Sequence, residues 1–318
     1  MLFRSAILRQ VEEGYPDDYD QLMFLTDKAA KVIAAQNTGR LLFRNLVTLS
    51  NRQAAILATF DGGTLEFNQL RNLTDAQAAS LATFEGAEID LQKVDTMTDA
   101  QVAYLSKFKG NRLFLGLCSI TDDQARWLGR FAGEYRLDLR RLRIVTDDQA
   151  QSLASYKGDW LDLSGLEHIT EEQAKIFGAF EGKVLSLWSA EPLTDAQVKA
   201  LTALPRSMLG LGVRTLTDAQ AQCIASHVGD VNIDKVERLS GSQALSLMQF
   251  GYSLYLGGIK EIDDSLATIF REFKGQKLHL GIETISRTVA QILYPIRNKL
   301  GVRPAIEKQI ETACDFMR

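Results

Sequence analysis

The sequence predicts an α/β solenoid of about 12 strand–helix repeats, each 23–25 residues long. Three observations predict this class. A tetrapeptide related to Thr-Asp-Ala-Gln recurs at nearly constant spacing, a large apolar residue follows each copy at a fixed distance, and a pair of alternating leucines completes each repeat. A period of this length indicates stacked supersecondary units, in which each repeat buries its apolar surface against the next.

The first half of each repeat predicts the start of a helix. Nine successive repeats carry Ser or Thr followed three residues later by Gln, and seven of them place Asp or Glu directly after the first residue. Ser/Thr-x-x-Gln is a capping box, and the positive end of the helix dipole favours the acidic residue. The nine helices are predicted to begin after Ser50, Thr74, Thr98, Thr121, Thr146, Thr170, Thr194, Thr217 and Ser240, with weaker copies at Thr26, Asp263 and Ser286.

The residues behind each cap predict a buried helix face and its end. Ala78, Leu81 and Ala82 stand at the i, i+3, i+4 spacing of one face, and the same columns are apolar in other repeats. Ten residues after the cap, a column of mostly large apolar residues predicts a continuous spine: Phe60, Phe84, Phe108, Phe131, Tyr156, Phe180, Leu204, His227, Phe250, Phe273 and Ile296. Two residues later most repeats have glycine, which predicts a helix C-terminus with positive φ.

The second half of each repeat predicts a short strand. Leu-x-Leu alternation, as in Leu113-x-Leu115 and Leu161-x-Leu163, indicates a strand with one buried face. Strand–helix repeats that run in one direction must form a parallel sheet. We therefore expect a curved parallel β-sheet on the concave face and short helices on the convex face.

The repeated pattern L-x-L-x-x-(L/C)-x-x-(L/I)-T-D-x-Q-A-x-x-L-A resembles the leucine-rich repeat family over roughly residues 20–302. It is similar to a short-helix, bacterial-type variant without the family's asparagine ladder, because an apolar column stands in that place: Leu70, Val94, Cys118, Leu142, Leu166, Ala190 and Ile259. The resemblance implies a scaffold for molecular recognition and contributes no catalytic residue.

The whole chain, residues 1–318, is interpreted as a single domain. Residues 1–20 are predicted to be an N-terminal cap, residues 21–302 the repeats, and residues 303–318 a C-terminal capping helix with Ile306, Ile310, Ala313 and Phe316 at near-helical spacing. Terminal repeats are commonly atypical because one of their sides faces water.

Composition argues against several functional classes. The net charge of -4 offers no basic field for nucleic acid, and no run approaches the ~18–20 apolar residues of a membrane span. The start of the chain lacks the pattern of a secretory signal. Three dispersed cysteines, of which Cys118 is expected to be buried, favour a reducing compartment, and we expect a cytoplasmic protein.

No motif for catalysis, a cofactor or a metal is recognisable, so the chain is predicted not to be an enzyme. His227 replaces a spine residue and is expected to be a hydrogen-bonded interior histidine. His168 is predicted in a loop, and His279 on the concave face without a nucleophile beside it.

The concave column suggests one partner-binding patch. Arginine and aromatic residues, which most often anchor interfaces, concentrate on four adjacent strands. The predicted patch consists of Arg112, Arg136, Asp138, Arg140, Arg141, Trp160, Asp162 and Trp188. The alternative is that arginines and aspartates on neighbouring strands only neutralise one another.

Two other features of this face have two interpretations each. Glycines at Gly210, Gly212, Gly257, Gly258 and Gly281 either admit a partner backbone or ease the turn out of each strand. The acidic residues Glu66, Asp90, Asp138 and Asp162 are expected to be a solvated face and not a metal site.

We therefore expect a non-catalytic protein-binding scaffold that uses the concave face, with a protein partner of unknown identity and no affinity for nucleic acid or membrane. The alternative is a structural or assembly subunit, as part of a larger complex or as a self-assembling solenoid. The sequence does not distinguish a monomer from a component of an assembly.

Overall fold

The computed structural model of the chain describes residues 2–13, 19–35, 39–190 and 192–313. They divide into two compact units, Met1–Leu166 (unit 1) and Glu167–Arg318 (unit 2). In each unit helices and strands alternate along the chain, and neighbouring strands pair parallel in sequence order. The predicted α/β repeat architecture is confirmed, while the prediction of a single domain with two capping segments stays a prediction.

Unit 1 contains strands β1–β6 between helices α1–α7. The helices are α1 Leu2–Glu12, α2 Asp27–Ala34, α3 Asn51–Leu57, α4 Asp75–Leu81, α5 Asp99–Leu105, α6 Asp122–Leu128 and α7 Asp147–Ala154. The strands are β1 Arg40–Phe43, β2 Thr64–Phe67, β3 Glu88–Leu91, β4 Arg112–Leu115, β5 Arg136–Asp138 and β6 Trp160–Asp162.

Unit 2 continues the alternation with strands β7–β12 and helices α8–α14. The helices are α8 Glu171–Gly178, α9 Asp195–Leu201, α10 Asp218–Ala225, α11 Gly241–Leu247, α12 Asp264–Phe270, α13 Arg287–Leu293 and α14 Pro304–Thr312. The strands are β7 Val184–Leu187, β8 Met208–Leu211, β9 Val231–Asn232, β10 Leu254–Leu256, β11 Leu278–Leu280 and β12 Leu300–Gly301.

The core of each unit lies between its sheet and its helices. The alternating strand residues, such as Leu113 and Leu115, are fully buried, so the residues between them lie on the opposite face of the sheet. We call this second surface the sheet face. In unit 1 the predicted spine is a stack of rings from Phe60 to Tyr156, with centroids 6.0–6.4 Å apart and planes within 14° of parallel.

The nine predicted capping boxes are all formed. Their glutamines have a second role, because the side-chain Nε2 donates to a backbone carbonyl of the preceding repeat. Gln101 Nε2 lies 2.9 Å from the Leu73 carbonyl oxygen, and Gln197 Nε2 lies 2.6 Å from that of Ile169. Other glutamines with this bond are Gln53, Gln77, Gln124, Gln149, Gln220 and Gln243. This glutamine ladder ties successive repeats together on the helix side.

The glycines after the spine residues correct one prediction. Among the described glycines only Gly229, two residues after His227, has a positive φ, 141°, so the predicted positive-φ helix ends are wrong for the other repeats. A Cβ on Gly110 would instead lie 2.2 Å from the Phe108 ring and 2.4 Å from the Gly86 carbonyl oxygen. Glycine is needed there because consecutive repeats approach each other through their backbones.

Cys118 is half-buried, which corrects the expectation that it fills the apolar column. The repeat that begins at Thr98 has 23 residues, and its deletion falls in the loop after β4. Leu117, only 1% exposed, therefore occupies the buried position. Val213 takes the equivalent place in the shorter repeat after Thr194.

Helices lie at both ends of the described chain. Helix α1 buries Ile7 and Val11. The Thr26 Oγ1 donates a hydrogen bond to the Glu12 carboxylate of this helix, whereas the later helix caps lie beside a preceding repeat. Helix α14 buries Ile306 and Ile310, whereas Phe316 lies outside the described residues. Among the described helices, none has the length and apolar character required to cross a membrane.

Candidate functional site

The sheet face of unit 1 brings most of the predicted patch together. Arg136 is the register partner of Arg112 on one side and Trp160 on the other, and Asp138 is the partner of Phe114 and Asp162. Because register partners on adjacent parallel strands lie side by side, these residues form two neighbouring columns across β4, β5 and β6.

Two buried carboxylates hold the centre of this surface. Asp138 is 0% and Asp162 4% exposed, and Arg136 Nη2 lies 2.8 Å from Asp138 Oδ2 and 2.6 Å from Asp162 Oδ2. Arg140 adds a second cation, with Nη2 2.6 Å and Nε 3.0 Å from Asp138 Oδ2. Buried charges persist only when they are paired, so this network fixes the side chains around it.

The guanidinium of Arg136 also lies between two rings. Its central carbon is 3.6 Å from the centroid of the Trp160 ring and 5.3 Å from that of Phe114. A guanidinium over an aromatic face is attracted by the ring quadrupole. Arg136 therefore orders both rings while it neutralises the two aspartates.

Three arginines of the predicted patch remain exposed on unit 1. Arg112 pairs with Glu88 at 3.2 Å and covers the Tyr135 ring at 4.7 Å from its centroid. Arg140 is 42% exposed despite its bonds to Asp138, and Arg141 Nη1 donates to the Gln92 carbonyl oxygen at 3.1 Å. These guanidinium groups can reach a partner, whereas Arg136, Asp138 and Asp162 are engaged within the sheet face.

The acidic column is not a solvated face, which corrects that expectation. Asp138 and Asp162 are buried in ion pairs, and Asp90 is half-buried. One carboxylate oxygen of each also accepts the amide of the residue two positions later: Asp90 from Gln92 at 2.9 Å, Asp138 from Arg140 at 3.2 Å and Asp162 from Ser164 at 3.1 Å. These Asx turns end the strands, a local role that the alternating pattern did not reveal.

Asp90 differs from its neighbours because no cation pairs with it among the described residues. Burial raises the pKa of Asp90 to about 6, and the negative charges of Glu66, Asp138 and Glu88 add to the rise. The hydrogen bond from the Gln92 amide acts in the opposite direction and lowers the pKa. Among the described residues no group of three or more His, Cys, Asp or Glu side chains could hold a metal ion.

Trp188 belongs to the sheet face of unit 2. Its indole lies against the Cα of Gly210, where an added Cβ would be 3.2 Å from Nε1. Gly210 thus makes room for this ring. Gly212 and Gly281 are close to neighbouring backbone: a Cβ on Gly212 would lie 1.7 Å from the Trp188 carbonyl oxygen, and one on Gly281 1.8 Å from that of Gly257. A Cβ on Gly257 would lie 2.7 Å from Asp234 Oδ1. This geometry favours an internal packing role over the admission of a partner backbone.

A second aromatic cluster lies on β10 and β11 of unit 2. Tyr255 and His279 are register partners, and their rings stack with centroids 4.1 Å apart and planes 2° from parallel. Burial, together with Lys277, lowers the pKa of His279, which keeps the imidazole neutral near pH 7. The sequence placed both residues on this face, but it did not indicate that they stack.

His227 is 2% exposed, as expected of an interior histidine. Its Nδ1 lies 3.0 Å from the Thr202 carbonyl oxygen, and its Nε2 lies 2.9 Å from that of Ser207. His168 is exposed in a loop. Neither histidine has a cysteine or serine nucleophile bonded to it among the described residues.

Neither a protein-family model nor a curated protein sequence matches the chain. Among solved structures, the chain is similar to a leucine-rich-repeat protein of Leptospira interrogans, with a TM-score of 0.45, 13% sequence identity and 96% of each chain covered. It is also similar to an internalin of Listeria monocytogenes, with a TM-score of 0.48, 13% identity, and 96% of this chain and 93% of that chain covered. In each unit the strands are parallel and in sequence order, and along the chain a helix follows each strand, as the predicted strand–helix repeat requires.

Proposed function

We propose that the chain is a non-catalytic protein-binding scaffold that engages a partner through its sheet face. The observation that supports this most directly is the stack of Phe114, Arg136 and Trp160 in unit 1. Aromatic and arginine side chains dominate the energetics of many interfaces, and side chains ordered before binding lose less entropy on association.

Within the predicted patch, the residues divide into two roles. Trp160, Arg112, Arg140 and Arg141 contact the partner, because each exposes part of its side chain. Arg136, Asp138 and Asp162 hold these side chains in place. Trp188, on unit 2, contributes to binding on its own unit.

A variant that removes the exposed anchors tests this function. Arg112→Glu, Arg141→Glu and Trp160→Ala are combined, and Arg136 and its aspartates are left intact so that unit 1 stays folded. Proteins captured from a native lysate are compared by cross-linking and mass spectrometry. We expect the partner captured by the wild-type chain to be lost.

The matched control reverses two charges on the helix side of unit 1, in Lys107→Glu and Lys109→Glu, both of which are exposed. It should retain the partner. Retention of the same partner by the triple variant, with circular dichroism unchanged, would show that the sheet face of unit 1 is not the interface.

Two further properties belong to this proposal. A cytoplasmic location is supported by Cys118 and Cys223, which are free thiols. The assembly alternative is tested by light scattering on the purified chain: a monomer at high concentration supports the scaffold, and a discrete oligomer or polymer supports self-assembly.

A further inference from the structure

In the spine of unit 2 a histidine, His227, stands between Leu204 of the preceding repeat and Phe250 of the following one. It is 2% exposed, so its ring is withdrawn from solvent. Nδ1 lies 3.0 Å from the Thr202 carbonyl oxygen, and Nε2 lies 2.9 Å from the Ser207 carbonyl oxygen. Both of these oxygens belong to the preceding repeat, so the ring connects its own repeat to two points of one neighbour.

The two partners of the ring decide which protonation state fits between them. A carbonyl oxygen accepts hydrogen bonds and cannot donate one. A neutral imidazole has one N–H group and one bare nitrogen, so it donates to one carbonyl and directs a lone pair at the other. The imidazolium has an N–H group at both nitrogens and can donate to both carbonyls. The geometry at His227 therefore matches a protonated ring.

Both carbonyls lie at positions where this fold requires a donor. Thr202 is the C-cap residue of α9, and the last carbonyls of a helix lack a partner within it and carry the negative end of its dipole. Ser207 directly precedes β8. The residue before β7, Lys183, accepts at its carbonyl the amide of Met208 in the next repeat at 2.7 Å. At Thr202 and Ser207 the ring of His227 supplies the donor.

The segments packed around His227 are the last turns of α9, α10 and α11 and the loops that follow these helices. Their titratable side chains, apart from His227 itself, are Lys199, Arg206, Cys223, Asp230 and Tyr252. None of the five bonds to the ring within the part of the chain that the structure describes. Lys199 and Arg206 are exposed, where water and salt screen their charges, and the Asp230 carboxylate accepts the Ser253 amide at 2.8 Å. The two carbonyls are thus the direct partners of the ring.

We propose that His227 is a pH-sensitive clamp between the repeats that contain α9 and α10. In folded unit 2 its ring carries a proton on each nitrogen and joins the Thr202 and Ser207 carbonyls, and the loss of one proton as pH rises releases one of these bonds. This inference goes beyond the proposed function, since it concerns the junction between two repeats and not the binding of a partner.

The direction of the pH dependence follows from where the proton is held. Burial disfavours a charged ring, and charge-assisted hydrogen bonds at both nitrogens offset that cost. The unfolded chain does not hold these two carbonyls against the ring, so the folded chain binds the proton in preference to the unfolded chain. Stability from His227 is therefore present at low pH and is lost as pH rises through the range in which histidines change charge.

The protonation state is tested on the full wild-type chain with isotope-labelled histidine. Long-range NMR spectra distinguish a ring nitrogen that carries a proton from a bare one, and His227→Phe identifies the signals of this ring. We expect two N–H groups on His227 at about pH 6 and one at about pH 8.5. A ring with the same number of N–H groups at both values would overturn the proposal.

The effect on the junction is tested by hydrogen exchange of the α9 and α10 amides. Their protection factors, which are corrected for the intrinsic effect of pH, should fall about tenfold between about pH 6 and about pH 8.5, as the loss of one hydrogen bond to a charged group implies. The fall should be absent in His227→Phe, which has the residue of most other repeats, and in His227→Leu, which repeats Leu204. His168→Gln, at an exposed loop histidine, is the matched control and should retain it.

The two apolar variants keep this test independent of a folding defect in either one, and the NMR measurement requires neither of them to be stable at both pH values. A fall of equal size in the wild-type chain and in either apolar variant would assign the pH dependence to another group and overturn the proposal. Protection that does not change with pH in the wild-type chain would overturn it as well.

Discussion

The helix sides of the two compact units are built alike, but their sheet faces differ. In unit 1 the face carries its own cation, Arg136, which pairs with Asp138 and Asp162 and lies on Trp160. In unit 2 Asn232 stands in the place of Asp138, because each accepts the amide of the residue two positions later, and Asp230 stands in the place of Arg136. The two units therefore keep the same turn at the end of the strand, while the charges on their sheet faces differ.

The helix side, in contrast, is conserved between the two units. Capping boxes and glutamine bonds recur in both units with similar geometry, as Gln101 and Gln197 illustrate. Because the side-chain amide of each is buried and bonded through both its oxygen and its nitrogen, we expect these positions to tolerate little variation. If the proposed function is correct, we expect variation that changes binding to occur on the sheet face.

Removal of the internal cation should have the largest effect. We expect Arg136→Ala to destabilise unit 1 by about 3 kcal/mol, because it removes positive charge that pairs with the buried carboxylates of Asp138 and Asp162. Arg112→Ala, at a more exposed pair, should cost about 0.5 kcal/mol. Urea unfolding gives the free energies, and hydrogen exchange locates the loss in unit 1. Equal costs for both variants would mean that the buried network contributes nothing beyond surface pairing.

The close approach of repeats in unit 2 should produce the next effect. Gly212→Ala places a Cβ 1.7 Å from the Trp188 carbonyl oxygen, where backbone must move. We expect a loss of about 2–3 kcal/mol, as in overpacked cores. Gly251→Ala is the control, since nothing lies within 4 Å of its Cβ. Calorimetric melting measures the stability of both variants. If Gly212→Ala were as stable as Gly251→Ala, the packing role of Gly212 would be contradicted.

The glutamine ladder should contribute equally in the two units. Gln101→Ala and Gln197→Ala each remove a capping bond and a bond to the preceding repeat, and each should cost about 2 kcal/mol. Gln151→Ala, on the exposed surface of α7, should be neutral. Chemical denaturation compares the three variants. A clearly unequal cost for the first two would show that the helix sides differ as well.

Asp90 should give the smallest effect and one that depends on pH. Burial raises its pKa to about 6 from the usual 3.8, so the folded state favours the protonated form, and stability from this residue is lost as pH rises through about 6. Asp90→Asn should therefore stabilise unit 1 by about 1 kcal/mol at pH 7.5 and hardly at pH 4. Melting at the two pH values measures this difference. An equal effect at both would exclude titration of Asp90 as its cause.

The repeat architecture could be predicted from the sequence because its signals are local. A capping box spans four residues and a strand pattern only a few more, so Thr98 with Gln101 already indicates a helix start. Spacing in a parallel sheet then predicts that Arg136 and Asp162 lie on adjacent strands. The pairing of these charges was one of the two interpretations that the sequence allowed.

Other features depend on contacts between repeats and could not be predicted. The acceptor of Gln101 is a carbonyl 28 residues earlier, which no side-chain pattern marks. The glycines after the spine residues were predicted to end the helices. In the structure glycine is needed there because the backbone of the preceding repeat approaches closely, as at Gly110. A one-residue deletion exchanged Leu117 for Cys118 in the core, and the stacking of Tyr255 on His279 depends on ring orientations that the alternating pattern does not specify.

The glutamine ladder also has a consequence for how such an array can change in length. Each repeat with a glutamine brings one amide donor and, just before its own cap, one carbonyl acceptor, as Gln101 and Leu73 do. Duplication or loss of a whole repeat therefore keeps donors and acceptors in equal number, and no buried amide is orphaned. The first cap, Thr26, has Ala29 in place of glutamine and bonds instead to Glu12 of α1. The chain can therefore gain an internal repeat by duplication, or lose one by deletion, while its terminal segments stay the same.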